Sequence, residues 1–349
     1  MVIRYGFWLL IFFLVMVAFF SFCRPSSFAK WIEKKAKSAE SKATNTTPVS
    51  LIEVKVSRPT RVIFGDEATG QKYDPSELAQ LPKIRLGEGI LGTLYKAVLN
   101  SGTIITIRKI REGLNDSDNL EFWGEFFGGM PDNWLLPMHF GFWYGGEAFV
   151  IYEYLCLGSL EELLHGSEGI QFSPLNWGIR QQIALCAAKA LASIHSRVTK
   201  SGKALVCGVI KASNILIRLD FSACLSGYET PYLVSHGTII RRNPGRVAPE
   251  LIQMQNSPEV FTHKSDVYSF GILLLELITG KKPMVTNLEE YVKEKRRREG
   301  LSGVYDKRIK DVKENVADML RIAGLCLSHN PRDRPSMDKV VQMIQGLLV

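Results

Sequence analysis

The sequence predicts an α+β protein in which antiparallel strands come first and long helices follow, in one large domain or two lobes. Two kinds of stretch predict it. Apolar residues alternate on both sides of a glycine-rich turn in KIRLGEGILGTLYKAVL, as in two antiparallel strands, and a turn at Asn100-Ser101-Gly102 leads into a third strand, TIITIRKI. LNWGIRQQIALCAAKALASIHS and VYSFGILLLELI read as helices by length and apolar content. The bulk composition agrees, because 349 residues that are 46% apolar and 22% charged can bury a sizeable core.

The net charge of +8 is modest for this length, and the Lys and Arg residues are dispersed except in Lys30 to Lys42 and Lys293 to Arg298. The second of these, EKRRRE, reads as a solvated helix face, so no nucleic-acid partner is expected. Six cysteines (Cys23, Cys156, Cys186, Cys207, Cys224, Cys326) show neither a C-x-x-C pair nor framework spacing. They point to reduced thiols in a cytosolic compartment and to no zinc or other metal site.

Residues 1–23 read as a short N-terminus and a transmembrane helix. Tyr5 to Cys23 is an unbroken run of 19 uncharged residues. As a helix it would span about 28 Å at about 1.5 Å per residue, enough to cross a bilayer. A cleaved signal peptide is the rival reading, since Ser27-Phe28-Ala29 resembles a cleavage site, but the run exceeds the usual signal core. Arg24, Lys30, Lys34, Lys35 and Lys37 follow the run and only Arg4 precedes it, which places the rest of the chain in the cytoplasm of a single-pass membrane protein, with the plasma membrane as the expected location. Cys23, at the membrane edge, is a candidate for acylation but is read as unmodified.

Residues 24–79 read as a basic juxtamembrane linker, rich in Lys, Ser, Thr and Ala to about residue 60 and interrupted by Pro48 and Pro59. The sequon at Asn45-Thr46-Thr47 would go unused on the cytoplasmic side. The cations at its start can hold anionic headgroups at about 1 kcal/mol each near the surface.

The folded part is read as residues 80–349. Its first signal, the G-x-G-x-x-G of Gly87, Gly89 and Gly92, is weak alone. A dinucleotide fold needs a helix directly after the glycines and an acidic residue about 20 positions on, and this chain continues as strand. The later motifs decide. Ala248-Pro249-Glu250, then HKSDVYSFGILLLELITGKKP (His263 to Pro283), then CLSHNPRDRPSM (Cys326 to Met337) stand at the order and spacing of a protein kinase C-lobe. In wording the chain resembles the plant receptor-like kinases, especially the leucine-rich-repeat receptor group, over about residues 80–349. The resemblance implies a two-lobed protein-kinase-like fold: a small antiparallel β lobe with one helix at about 80–155, and a larger helical lobe at about 156–349.

The resemblance also implies where the family's working parts fall. The V-A-I-K lysine, which holds the α- and β-phosphates, is Arg108 here, and Lys109 next to it points to the other face of its strand. Thr106 in place of alanine narrows the space for adenine. Glu125 aligns with the helix glutamate that pairs with that lysine, so an Arg108–Glu125 ion pair is expected. The catalytic H-R-D is Cys207-Gly208-Val209, in which Val209 cannot take a proton and Gly208 cannot pair with a phosphorylated segment. Lys211 and Asn214 persist. The metal-binding D-F-G falls at Gly227-Tyr228-Glu229, with no ligand at its first position. Glu229 reaching a metal by a different backbone path is the alternative there.

Asp220-Phe221-Ser222 looks like the lost D-F-G but comes only six residues after Asn214, and reads as an exposed turn. Gly87, Gly89 and Gly92 are equally what a tight hairpin needs for its backbone, and Lys211 and Asn214 can brace their loop by hydrogen bonding with no nucleotide. Trp177 and Asp266 read as architectural, Asp266 as a cap on its helix and a tie to the catalytic loop. The expected function is therefore a membrane-anchored pseudokinase, not an enzyme, that scaffolds or regulates membrane receptor kinases or other signalling proteins. No cofactor is required, and Gly87, Gly89, Gly92, Arg108, Lys211 and Asn214 form at most a vestigial nucleotide site for weak, metal-independent ATP binding. The alternative is a weakly active or nucleotide-gated serine/threonine kinase.

Overall fold

Alternation in the first part of the chain is realised as one six-stranded antiparallel sheet. Its strands are β1 (Arg61–Phe64), β2 (Lys83–Gly89), β3 (Gly92–Val98), β4 (Ile104–Ile110), β5 (Met138–Tyr144) and β6 (Glu147–Glu153), in the spatial order β1-β5-β6-β4-β3-β2. The structure, a computed structural model, describes residues 61–65, 73–114, 132–166, 175–198, 202, 204–253, 261–309 and 315–348. The apolar segment at 5–23, the sequon and Glu125 lie outside the described residues. Among the described residues no helix is long and apolar enough to cross a membrane.

In β4 the β-branched Ile105 and Ile107 are fully buried, and both pack with Phe140, Phe142 and Ile151 of the neighbouring strands. Tyr73 and Leu78 complete this core, Leu78 from the short helix α1 (Pro75–Gln80). The folded part thus begins earlier than residue 80. Part of the stretch expected to be linker supplies a strand, in register Arg61 to Trp143 and Val62 to Phe142, and two core side chains.

The second lobe is helical: α2 (Leu160–His165), α3 (Trp177–His195), α4 (Thr230–Leu233), α5 (His236–Arg241), α6 (Pro249–Gln253), α7 (His263–Thr279), α8 (Leu288–Glu299), α9 (Val316–Cys326) and α10 (Met337–Gln345), with one small hairpin of β7 (Ile215–Ile217) and β8 (Ala223–Leu225). α7 is apolar all round and buried from Ser265 to Thr279 except at Tyr268, as a central helix must be. α9 packs on α7, and α10 on α3. Trp177 is buried and donates its indole N–H to Asn315 Oδ1 at 2.8 Å, a packing role.

The N-cap of α7 is Thr262, in a capping box with Ser265, and not Asp266. Asp266 sits in the first turn with its side chain turned inward. There Oδ2 accepts from the backbone N–H of Cys207 at 2.8 Å and contacts His195 Nε2 at 2.9 Å. The expected tie to the catalytic loop exists, and the capping role belongs to a residue four positions earlier. The C-lobe motifs also meet: Arg334, buried, makes a two-pronged ion pair with Glu250, Nη1 to Oε1 at 2.6 Å and Nη2 to Oε2 at 2.8 Å.

Candidate functional site

The glycine turn closes the top of the cleft between the lobes. Gly89 pairs with Gly92 across the two-residue tip Ile90-Leu91. Only Gly92 has a steric reason to be glycine. Its φ is +134°, and a Cβ there would lie 2.0 Å from the carbonyl oxygen of Lys109. A Cβ at Gly87 would meet nothing within 4 Å, and one at Gly89 only the Gly92 carbonyl oxygen at 3.8 Å, so the hairpin backbone does not account for these two. The turn is held down just after β4, where Arg111 donates to the Gly89 carbonyl at 2.9 Å through its guanidinium and to the Leu91 carbonyl at 2.8 Å through its backbone N–H. Ile90, at the tip, packs against an apolar cluster of the lower lobe.

That cluster contains Val209. With Ile239 of α5, Val247, Ala248, Leu251 and Phe261 it forms a continuous hydrophobic group, and Val209 is buried within it. The position expected from the sequence to correspond to the family's proton acceptor thus carries a side chain packed into this core. Gly208 before it has φ +84° and lies against Pro231. Asn214 ends the short 3-10 turn Ala212–Asn214, and its carbonyl accepts from the backbone N–H of Ser226 at 2.8 Å and from the Ser226 hydroxyl at 3.0 Å. Burial, and then the nearby charge of Arg246, push the pKa of the Lys211 ammonium down. Asp220-Phe221-Ser222 is the turn joining β7 to β8, with Phe221 at φ +61° and Ser222 donating its N–H to Asp220 Oδ1 at 2.9 Å.

After β8 the backbone turns at Gly227, φ +72°, where a Cβ would stand 2.9 Å from Asn214 Nδ2. Tyr228 is buried and donates its hydroxyl to the Leu136 carbonyl at 2.9 Å. Glu229 points back under the sheet. Its Oε1 lies 3.3 Å from Arg108 Nη1, Glu229 being buried and Arg108 largely so (3% and 13% exposed). The Tyr152 hydroxyl of β6 donates to the same oxygen at 3.1 Å, and the Arg108 guanidinium stands 5.4 Å from the centre of the Tyr152 ring. The alternation that aims Arg108 into the cleft sends Lys109 to the other face, where it pairs with Glu147. Burial works against the charged guanidinium, but Tyr152, Glu229 and Tyr228 more than compensate and raise its pKa. The same burial, together with Glu229, raises the pKa of the Tyr152 hydroxyl well above its usual value.

The ion pair described for Arg108 is therefore with Glu229, while the expected partner Glu125 lies outside the described residues. One atom of each partner, Arg108 Nε and Glu229 Oε2, is buried with no hydrogen-bond partner among the described residues. Tyr152 and Ile90 were not foreseen from the sequence. The one local signal for Tyr152 is its place on β6, opposite Thr106 of β4.

Residues 82–344 match the sequence family described as protein tyrosine and serine/threonine kinase. An Arabidopsis thaliana protein named "Probable inactive receptor kinase" is 33% identical over 299 residues, which are 82% of this chain and 44% of that one. A second from the same plant, named "Inactive leucine-rich repeat receptor-like serine/threonine-protein kinase", is 30% identical over 295 residues, again 82% of this chain and 44% of the relative. The chain spans less than half the length of these curated relatives. Among solved structures, the kinase domain of maize sucrose-induced receptor kinase 1 bound to AMP-PNP superposes with a TM-score of 0.69 at 26% identity, over 83% of this chain and 99% of that one.

Proposed function

The chain belongs to the protein tyrosine and serine/threonine kinase family, and from that premise we propose that it is a receptor-like pseudokinase, which keeps the two-lobed scaffold and works by binding other proteins. The observation that carries this reading is the Arg108–Glu229 pair with Tyr152. In the family's scheme the cation at this strand position holds the α- and β-phosphates. Here its charge is spent on a carboxylate of its own chain.

Three further features support the same reading. Val209 offers no acceptor for a hydroxyl proton, a contribution worth about 10²–10⁴ in rate. Gly227 offers no metal ligand, and phosphoryl transfer depends on metal and cationic positioning. Ile90 packs onto the lower lobe from the turn that covers phosphates in the family. A magnesium-bound triphosphate fits this donor set poorly, so ATP, if held, is held weakly and without metal through Lys211, Asn214 and the glycine turn. These losses are not additive, but they all point the same way.

The names of the Arabidopsis relatives support extending the reading to an inactive member of a receptor-like group. On this proposal the apolar segment at 5–23 anchors the chain, the kinase-like domain faces the cytoplasm, and the partners are membrane receptor kinases. A partner without chemistry shifts an equilibrium only by binding one state of the other protein more tightly, and sharing a membrane raises the effective concentration enough for a weak contact. The test is a thermal-shift titration of the purified chain with ATP, alone and with Mg²⁺ or Mn²⁺, beside a phosphate-incorporation assay. The expected result is no incorporation and no metal-dependent rise in Tm. A rise that requires Mg²⁺ would return the nucleotide-gated reading, and incorporation abolished by Asn214→Ala would overturn the proposal.

A further inference from the structure

Away from the cleft, the C-terminal end of α7, the start and middle of α8 and the segment after it enclose a concave site of about 860 Å³. Five cations line it: Lys281, Lys282, Lys295, Lys307 and Arg308. Asp306 is the one lining carboxylate, and it is already engaged, accepting from Arg180 Nη2 at 2.7 Å on its buried side and from Arg308 Nη2 at 2.8 Å. Lys295 pairs with Glu299, and Lys282 reaches Glu161 only at 3.8 Å with both side chains well exposed. Among the described residues Lys281 and Lys307 are in no ion pair, although Lys307 lies close enough to help lower the pKa of the Glu299 carboxyl after Lys295 has done so.

The wall behind these cations is fixed. Gly280 ends α7 in the left-handed region, and its Cα approaches Asp306 so closely that a Cβ there would stand 2.3 Å from Oδ2. The Asp306 backbone N–H donates to the Ile278 carbonyl at 2.8 Å, and Arg308 also donates to the Leu164 carbonyl at 3.1 Å. The Arg308 guanidinium thus faces the same hollow as four ammonium groups, of which Lys281 and Lys307 are in no ion pair among the described residues, while Lys282 and Lys295 share exposed carboxylates. A concave wall with an excess of one sign concentrates its field on the space inside, and lysines act there as adaptable point charges for phosphate.

We propose that this hollow binds a small anion carrying several phosphates, either free or presented as a lipid headgroup. The ligand class follows from the excess charge: Lys281 and Lys307 are uncommitted, and Lys282, Lys295 and Arg308, whose carboxylate partners are exposed or shared, line the same space, so several phosphates are needed to meet them all. The site is separate from the cleft and requires neither nucleotide nor catalysis.

Calorimetric titration of the 349-residue chain with inositol hexakisphosphate tests it. Saturable binding that weakens with added salt is expected. Lys281→Ala/Lys307→Ala, two exposed side chains whose loss leaves the fold intact by circular dichroism, should weaken binding about tenfold or more. Lys293→Ala/Arg297→Ala removes the same charge from α8 outside the hollow and should leave the Kd within about twofold. Absence of saturable binding, or equal weakening by the two double variants, overturns the proposal. The source of the anion is read with the chain inserted in vesicles of phosphatidylcholine with and without a phosphatidylinositol bisphosphate. Displacement of the soluble probe by the phosphorylated lipid, lost in Lys281→Ala/Lys307→Ala, assigns the headgroup. Probe binding unchanged by the phosphorylated lipid assigns the free anion.

Discussion

On the proposed reading Val209 and Gly227 stand where the family has its two aspartates, and each position resists an acidic side chain for a different reason. Val209 is embedded in apolar side chains, so an aspartate there would be either ionised without a partner or neutral with its hydrogen bonds unmade. Val209→Asp should lower stability by about 3 kcal/mol, read as a drop in urea midpoint, with no phosphate incorporation gained. At Gly227 the obstacle is the backbone, because φ is +72° and the first side-chain atom already crowds Asn214. Gly227→Ala should cost about 1–2 kcal/mol by the same measurement. Motif spacing located both positions in the sequence. What fills the space around them could not be read there, because Ile239, Val247 and Phe261 reach Val209 from segments whose approach only the folded chain sets.

Among the elements, two of the ion-pair clusters in the helical lobe show how segments far apart in sequence are held together. Arg334, before α10, clamps Glu250 at the start of α6. Breaking a buried pair strands the other charge, so Arg334→Ala should cost about 3–5 kcal/mol in chemical denaturation. Asp306 is the second case. Burial pushes its carboxyl pKa up, but hydrogen bonds from Arg308 and Arg180 outweigh that and hold it at about 2 against an ordinary 3.8. The folded state therefore binds its proton later than the unfolded one. The stability it adds is complete above about pH 4 and is lost as pH falls toward 2. The stability difference between the parent and Asp306→Asn, measured by urea unfolding, should accordingly shrink over that window. The helices themselves were plain in the sequence, since α3 and α7 are long and apolar. Less plain were the cap, because Thr262 and Asp266 are both good capping residues and only the path of the chain chooses between them, and β1, because four residues RVIF show no pattern until they pair with β5.

For the whole molecule, the contact that matters is Arg108 with Glu229, which ties the sheet of the small lobe to the segment leaving β8. A reciprocal exchange isolates it. Arg108→Glu and Glu229→Arg should each destabilise the protein by placing like charges together in a buried site, and the double variant should recover about 1–3 kcal/mol of the summed loss. Additive losses in urea unfolding would show that the two side chains do not act as a pair. The sequence supplied both residues as departures from a family pattern, one on a strand and one after a hairpin. That the two departures compensate each other was not legible, since it depends on how the lobes close.

The same pair has a consequence for descent. Returning residue 108 to lysine would leave Glu229 facing a slimmer cation without a fork of donors, and returning residue 229 to glycine would strand a buried guanidinium. On the proposed reading each single step toward the family's catalytic pattern passes through a less stable protein, with no catalytic gain expected while Val209 and Gly227 remain. On that reading the pair therefore works as a ratchet: with Arg108 and Glu229 satisfying each other, single changes toward the family's phosphate-binding pattern cost stability first, and the surfaces are left as the part of the protein free to vary.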